Sequence, residues 1–161
     1  MRVNHVFTQT MASPEEPVNA RLGALLEAFM NRVAHPRGRA LAFLNKSSVT
    51  VDQAILMDHA RTWPGSTPTS LAARMNLSLP SISQMIERLA RLGLLRRTED
   101  PADRRRKTIA VTPKARRFLR ELQAVRSQEF SAGAAALSPA TQKQLVAALA
   151  RALTELDDAN D

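Results

Sequence analysis

The chain has 161 residues, no cysteine and a formal net charge of +8 at pH 7. This length suits one compact domain, with or without appended helices. The lack of cysteine excludes disulfides, thiolate metal ligands and thiol-based redox sensing. No segment approaches the roughly 20 apolar residues of a membrane-spanning helix, and the N-terminus lacks the apolar core of a secretory signal. We therefore expect a soluble, cytoplasmic protein.

The basic charge is concentrated in one stretch of the chain. Residues 74–120 hold 13 Lys and Arg against 4 Asp and Glu, a net charge of +9. The rest of the chain holds 10 against 11, a net charge of −1. A localised basic patch on an otherwise neutral chain is typical of a protein that binds a polyanion such as nucleic acid.

The first part of the chain predicts a tail followed by helix. We expect residues 1–17 to be a flexible tail. Apolar residues in 18–33 recur with the 3.6-residue period of an amphipathic helix, and His35-Pro36-Arg37-Gly38 ends it. The apolar segment Ala40 to Ser48 fits either a helical turn or an extended packing segment.

Two helices are then marked by threonine caps. Thr50-Val51-Asp52-Gln53 has the form of a capping box, in which each side chain satisfies a free backbone N–H. It predicts a helix to about Arg61, ended by Trp63-Pro64-Gly65-Ser66. Thr67-Pro68 then combines an N-cap with a proline at the first helical position, which predicts a second, short helix.

A third helix should run from Ser78 to Leu92. Ser78 is its predicted N-cap, Pro80 is tolerated in its first turn, and Gly93 supplies the left-handed residue beyond its end. Its predicted buried side consists of Ile82, Met85 or Ile86, and Leu89.

A hairpin and two more helices complete the predicted order. Two short strands, Leu94–Thr98 and Thr108–Val111, flank a polar tip at residues 99–107. Two short helices joined by a tight turn and followed by a hairpin make a winged helix-turn-helix. A long helix is predicted from Thr112-Pro113 to about Phe130, and a last one from Ser138-Pro139. The inner stripe of the last helix is predicted at Leu145, Val146, Leu149, Leu153 and Leu156.

The third helix is the candidate recognition helix. Its polar face carries side chains that can read bases: Arg pairs with guanine, Gln with adenine, and Ser with several bases. The N-terminal part of such a helix usually reaches the base edges, so Ser81 and Gln84 are the leading candidates, and Arg88 can reach a base or a phosphate. An ordinary surface helix with an outward polar face is the alternative. The predicted DNA-binding residues of this helix are Ser78, Ser81, Ser83, Gln84, Arg88 and Arg91.

The hairpin tip strengthens the DNA interpretation. Arg104, Arg105, Arg106 and Lys107 place four adjacent cations on it, and their mutual repulsion is unfavourable without a counter-charge. A narrow minor groove supplies dense negative potential that favours an inserted arginine. Asp103 lies two residues before Arg105 and can orient its guanidinium. A solvated charge run is the alternative.

These segments together resemble the MarR (multiple-antibiotic-resistance regulator) family of transcription factors over roughly residues 50–120. The wing segment, with Asp-Arg-Arg followed by an Ile-x-Val-Thr strand end, is the most specific part. The resemblance rests on Leu71-Ala72, residues 81–89, Leu92-Gly93-Leu94-Leu95, residues 100–105 and Ile109-Ala110-Val111-Thr112.

The resemblance implies a mainly helical homodimer that binds pseudo-palindromic DNA. Residues 18–48 and 113–161 would supply the dimerisation helices, and residues 49–112 the winged helix-turn-helix with its small β-hairpin wing. Each recognition helix would enter a major groove and each wing the adjacent minor groove. Arg105 would be the minor-groove arginine and Asp103 its anchor. Most members are repressors, and many release DNA when a small phenolic or aromatic acid binds between the two lobes.

The sequence also leaves alternatives to weigh. The histidines His5, His35 and His59 form no convergent catalytic cluster, so we expect neither an enzyme nor a cofactor. A metal-responsive regulator would recruit His59 with nearby carboxylates, although a partly exposed helical histidine is the simpler interpretation. Phe29, His59 and Trp63 are candidates for an aromatic effector pocket, or else core residues. A winged helix for RNA or protein contact is a further alternative, but A-form RNA hides its major groove from a helix.

Overall fold

The computed structural model describes residues 17–34, 38–99 and 107–159. Over these residues the chain is mainly helical with a two-stranded antiparallel sheet, which confirms the predicted fold class. The predicted tail, apart from Pro17, lies outside the described residues. The elements are α1 (Val18–Val33), α2 (Arg39–Lys46), α3 (Val51–Thr62), α4 (Pro68–Met75), α5 (Leu79–Arg91), β1 (Leu95–Glu99), β2 (Lys107–Val111), α6 (Pro113–Ala134) and α7 (Pro139–Asp158).

The contacts divide the chain into two compact units. Among the described residues, the central unit comprises 38–99 and 107–129, and the end unit comprises 17–34 and 130–159. α6 runs through the boundary at Phe130, and α2 clusters with the central unit. The predicted role of the outer segments in dimerisation stays a prediction.

Side-chain caps fix the starts of α3 and α4. The Thr50 hydroxyl accepts a hydrogen bond from the Gln53 N–H at 3.2 Å, and the Gln53 side chain accepts one from the Thr50 N–H at 3.2 Å. Thr67 and Ser70 form the same reciprocal arrangement at 3.2 and 3.0 Å. The predicted capping box at Thr50 is confirmed, and each box satisfies two N–H groups that a helix start leaves free.

The ambiguous segment after Gly38 is a helix. Gly38 offers no side-chain cap to α2, but the Glu129 carboxylate of α6 accepts a hydrogen bond from the Ala40 N–H at 3.4 Å. Phe43 of α2 packs against Phe118 of α6, with ring centroids 5.2 Å apart. Packing against α6 therefore stabilises a segment whose own sequence left helix and extended structure open.

The core of the central unit lies beneath α5. Ile82, Ile86 and Leu89 are buried there, as predicted, and Met85 is only partly buried. Burial of each such side chain is worth roughly 1.5–3 kcal/mol, so the opposite side of α5 is directed to solvent. The largest fully buried side chains of the chain's described part are Leu56, Met57, Leu71, Ile82, Ile86, Leu89 and Ile109.

The hairpin is shifted slightly from its predicted bounds. The Leu94 N–H still donates to the Leu89 carbonyl at 2.8 Å and closes the end of α5, so β1 starts at Leu95. The strands pair from Leu95 opposite Val111 to Glu99 opposite Lys107. The Ile109 N–H donates to the Ser66 carbonyl at 2.8 Å, which attaches β2 to the turn between α3 and α4.

The apolar stripe of α7 differs from its prediction. α7 has no buried residue in the single chain, and Val146 and Leu153 are 69% and 61% exposed. The prediction that this stripe is inside is therefore wrong for one chain, because a helical period shows which face is apolar and not what covers it. α1 likewise exposes Leu22, Leu25, Leu26 and Met30.

Candidate nucleic-acid interface

The N-terminus of α5 presents two exposed serines. Ser78 is the N-cap, and its hydroxyl accepts a hydrogen bond from the Ser81 N–H at 3.3 Å. The two hydroxyl oxygens lie 2.8 Å apart. Pro80 has no backbone N–H and the Ser81 N–H is already used by Ser78, so the positive end of the helix macrodipole, the Leu79 N–H and the two hydroxyls are what favour an anion at this position. This end of α5 can therefore bind a phosphate while its hydroxyls reach a base edge.

One exposed face of α5 carries most of the predicted base-reading residues. Ser81, Gln84, Arg88 and Arg91 follow one another at helical spacing and are exposed, whereas Ser83 is half-buried at the flank. This face lies opposite the buried stripe of α5 described above. The local geometry thus matches the face expected from the sequence, although the roles of these residues remain untested.

Arg88 also makes a contact within the protein. Its guanidinium donates to the Ser48 carbonyl at 3.4 Å. Ser48 lies between α2 and α3 and has a φ of 55°, a left-handed conformation that is uncommon outside glycine. Arg88 therefore links the C-terminal half of α5 to this connection, a contact that the sequence pattern did not predict.

The wing is described only along its strands. Asp103, Arg104, Arg105 and Arg106 lie outside the described residues. Lys107 is the described cation of the predicted group, and its ammonium lies 2.7 Å from the Glu99 carboxylate. Both side chains are more than half exposed, so this ion pair contributes little stability. A DNA phosphate can therefore replace the Glu99 carboxylate as the partner of the Lys107 ammonium.

Sequence reasoning missed two cations on β1. Arg96 and Arg97 are exposed, and the Arg97 guanidinium lies 3.9 Å from the Glu87 carboxylate of α5. The adjacent pair Arg96-Arg97 within a predicted strand was the available signal. α5 and the two strands carry five cations and two carboxylates, so the surface formed by α5 and the hairpin is basic.

Two of the three predicted effector residues lie together in the central unit. The rings of His59 and Trp63 stack with centroids 4.9 Å apart and an interplanar angle of 21°. The Arg74 guanidinium lies 4.1 Å from the centre of the Trp63 ring, a cation–π contact. The His59 Nδ1 is buried and has no hydrogen-bond partner in the described part of the chain. Phe29 is half-buried on α1 in the end unit.

The described residues contain no group of three or more His, Asp or Glu residues that could hold a metal ion. None of their helices is both long enough and apolar enough to cross a membrane.

Comparison with known sequences identifies the segment that carries this surface. A sequence model of the MarR family matches residues 49–107. Residues 49–107 are therefore similar to the MarR family. The matched segment runs from just before the Thr50 cap to the start of β2, so it includes α5 and its exposed face. The resemblance found from the residues is confirmed. No curated protein matches the chain at a significant level of sequence similarity.

Solved structures show the same fold. Tm0710, a transcriptional regulator from Thermotoga maritima, superposes with a TM-score of 0.68 at 18% identity, over 88% of this chain and 94% of that one. YusO from Bacillus subtilis gives 0.62 at 20% identity, over 85% and 92%. The S. aureus MepR–DNA complex gives 0.61 at 21% identity, over 85% and 98%. The chain therefore has the fold of MarR-family transcriptional regulators.

Proposed function

We propose that the chain is a cytoplasmic, homodimeric repressor that binds double-stranded DNA at a specific pseudo-palindromic sequence. The observation that carries this proposal is the exposed face of α5 within the segment that matches the MarR family. This face combines a helix N-terminus that favours anions with hydroxyl, amide and guanidinium groups at helical spacing.

In this proposal the two ends of α5 have different roles. Ser81 and Gln84 contact base edges in the major groove, with Gln84 placed to form a bidentate pair with adenine. Ser78 binds a phosphate at the helix start, and Ser83 contacts the DNA from the flank. Arg88 and Arg91 lie in the last turn and bind backbone phosphates or a guanine, and Arg88 has further N–H groups for this besides the one that donates to the Ser48 carbonyl.

The wing supplies the second proposed contact. Arg105 enters the minor groove, oriented by Asp103, and Arg104, Arg106 and Lys107 neutralise adjacent phosphates. The basic character of β1 supports this assignment, because Arg96 and Arg97 add cations at the base of the wing. Arginine in a narrow minor groove is favoured by its enhanced negative potential.

Dimerisation explains the apolar faces of the end unit. Large side chains on α1 and α7 are exposed in the single chain, among them Leu25 at 65% and Leu153 at 61%. Faces of this kind mark contact surfaces in soluble proteins. A second copy is the proposed partner, and a two-fold axis would place two copies of α5 about 34 Å apart, one turn of DNA.

In this proposal a small ligand releases the chain from DNA. A small aromatic or phenolic ligand that prefers a different spacing of the recognition helices would lower DNA affinity. Phe29, His59 and Trp63 remain the proposed pocket residues. Since Trp63 already stacks with His59 and Arg74, a flat ligand would bind there by replacing one of them.

Gln84→Ala tests the base-reading role, and Gln123→Ala is the matched control because Gln123 is exposed on α6 outside the proposed interface. We expect Gln84→Ala to weaken binding to the preferred duplex by about 1–3 kcal/mol and to leave random-sequence binding nearly unchanged. Fluorescence anisotropy with labelled duplexes measures both affinities. Equal losses on the two duplexes would mean that Gln84 does not read sequence.

A further inference from the structure

Apolar side chains are exposed where α5 begins. Leu77 precedes the Ser78 cap and is 40% exposed, and Leu79, the first residue of α5, is 45% exposed. Pro80 follows and is exposed as well. Single exposed apolar residues are normal on a protein surface, whereas adjacent ones form a patch of the kind that marks a contact surface. We call Leu77, Leu79 and Pro80 the apolar patch.

The core of the central unit does not use the apolar patch. The buried side of α5 starts at Ile82, and the apolar cluster of the described residues includes Ile82 but none of the three patch residues. The Leu77 N–H donates to the Ala72 carbonyl at 3.0 Å, which closes the end of α4 and fixes the backbone of the turn. The patch is therefore held by the backbone while its side chains remain accessible.

Pro80 lies on the same face of α5 as Gln84. The two residues are four positions apart, so Pro80 lies one turn closer to the start of the helix on the proposed base-reading face. Leu79 has the same relation to Ser83, which is half-buried at the flank of that face. Pro80 therefore extends the row of Gln84 and Arg88, and Leu79 borders it.

Pro80 offers an apolar ring rather than a hydrogen-bond donor. Proline has no backbone N–H, and the N–H of the next residue, Ser81, donates to the Ser78 hydroxyl at 3.3 Å. The Pro80 ring gains nothing from a phosphate, whose negative charge requires donors or water. It gains free energy from burial against an apolar group. In the major groove, the apolar group at the edge of the base pairs is the C5-methyl of thymine.

We propose that Pro80 reads a thymine by contact with its C5-methyl group, and that Leu79 covers this contact from the flank. This role rests on the proposed DNA-binding function and adds a second base to the site that Gln84 reads. One turn of a helix rises about 5.4 Å, and successive base pairs are about 3.4 Å apart. The thymine therefore lies within about two base pairs of the adenine that pairs with Gln84.

Replacement of single thymines by deoxyuridine tests the proposal. Uracil lacks only the C5-methyl and keeps the hydrogen-bonding groups of thymine, so the replacement isolates the methyl contact. The duplex is the site that the full-length chain selects from random DNA at fixed salt, and fluorescence anisotropy measures its affinity. We expect replacement at one symmetric position of the two half-sites to weaken binding about fourfold per methyl, as for one buried carbon group. Replacement of other thymines should leave the affinity nearly unchanged.

Pro80→Ser removes the apolar ring and keeps the residue small. With this variant the uracil and thymine duplexes should bind equally, because the methyl has lost its partner. Pro139→Ser is the matched control, since Pro139 is exposed in the first turn of α7, directly after the Ser138 cap and outside the proposed DNA interface. It should keep the full difference between the two duplexes. Thermal melting verifies that both variants are folded.

The outcomes separate the methyl contact from the repressor function on which it rests. A selected site that lacks thymine, or whose uracil duplexes all bind as tightly as the thymine duplex, would overturn the methyl contact alone. A Pro80→Ser variant that still discriminates uracil from thymine would assign the methyl to another residue and overturn the role of Pro80. Binding of the DNA pool without any enriched sequence would overturn both functions. Because the deoxyuridine comparison uses the unmodified chain, it is decisive even if Pro80→Ser does not fold.

Discussion

Serine and threonine hydroxyls cap α3, α4, α5 and α7, but their surroundings differ. Thr50 and Thr67 are tied into reciprocal boxes with Gln53 and Ser70. Ser78 instead lies against the exposed hydroxyl of Ser81. Because neither hydroxyl of this pair is buried, both can form additional hydrogen bonds outward. A hydroxyl cap therefore has a structural role at α3 and α4, and at α5 it has a proposed contact role in addition.

Gly133 gives a stability prediction at the scale of one residue. A Cβ placed on Gly133 would lie 2.5 Å from the Val33 carbonyl oxygen and 2.6 Å from the Val33 Cα. These are backbone atoms, so they cannot move aside as a side chain can. We expect Gly133→Ala to reduce the free energy of unfolding by about 1–3 kcal/mol.

Gly23→Ala is the control for this prediction. Gly23 lies within α1, and a Cβ there would meet nothing within 4 Å. Alanine should raise the free energy of unfolding by up to about 1 kcal/mol, because glycine is a poor helix former. Urea denaturation measures both variants. Similar effects of the two substitutions would show that helices α1 and α6 do not approach closely at Gly133.

The helix caps and the exposed positions of α5 were predictable from the sequence, but the tertiary partners of individual side chains were not. The capping box at Thr50 and the exposed position of Gln84 follow from local spacing. The contact of Arg88 with the Ser48 carbonyl joins residues 40 positions apart. Nothing in the local pattern around Arg88 separates a DNA-facing guanidinium from one that binds the protein's own backbone.

At the scale of elements, the winged helix-turn-helix was predictable because each helix has its own start and stop signals. α2 was not, since its helical form depends on Phe118 and Glu129 of α6. Three of the four strand bounds differ by one residue from the prediction, and the end of β2 at Val111 agrees with it. Leu94 is predicted as the first residue of a strand, whereas its N–H completes the end of α5.

The wing gives a prediction at this scale. Arg105→Ala should weaken binding to specific and random duplexes alike, and should reduce the slope of log K against log salt by about one. The physical reason is the loss of one counterion released from DNA. Anisotropy titrations over a range of salt concentrations measure the slope.

Arg151→Ala is the charge-matched control, because Arg151 is exposed on α7 and belongs to neither DNA-contacting element. For Arg151→Ala, the slope of log K against log salt should equal that of the unmodified chain. An unchanged slope for Arg105→Ala would rule out a groove or phosphate contact by Arg105.

At the scale of the whole molecule, the sequence shows which faces are apolar and not which of them the chain covers. The stripes of α5 and α7 have the same kind of period, yet one is buried and the other exposed. The difference arises from long-range packing: α5 lies over the core of the central unit, and the stripe of α7 is open in a single chain. A second copy is the proposed cover.

Leu149→Asp combined with Leu153→Asp tests this proposal. Burying two carboxylates in an apolar interface is strongly unfavourable, so we expect a monomer in sedimentation equilibrium where the unmodified chain is a dimer. Lys143→Asp is the control at an exposed polar position of α7, and it should remain dimeric. A double variant that stays dimeric would place the dimer contact elsewhere.

Selection of bound sequences from random duplex DNA at fixed salt tests the central claim most directly. The account predicts enrichment of a pseudo-palindrome whose half-sites lie about one helical turn apart, with the Gln84→Ala variant losing preference at one symmetric base pair. Recovery of no enriched sequence from a chain that binds the pool would contradict sequence-specific recognition by α5.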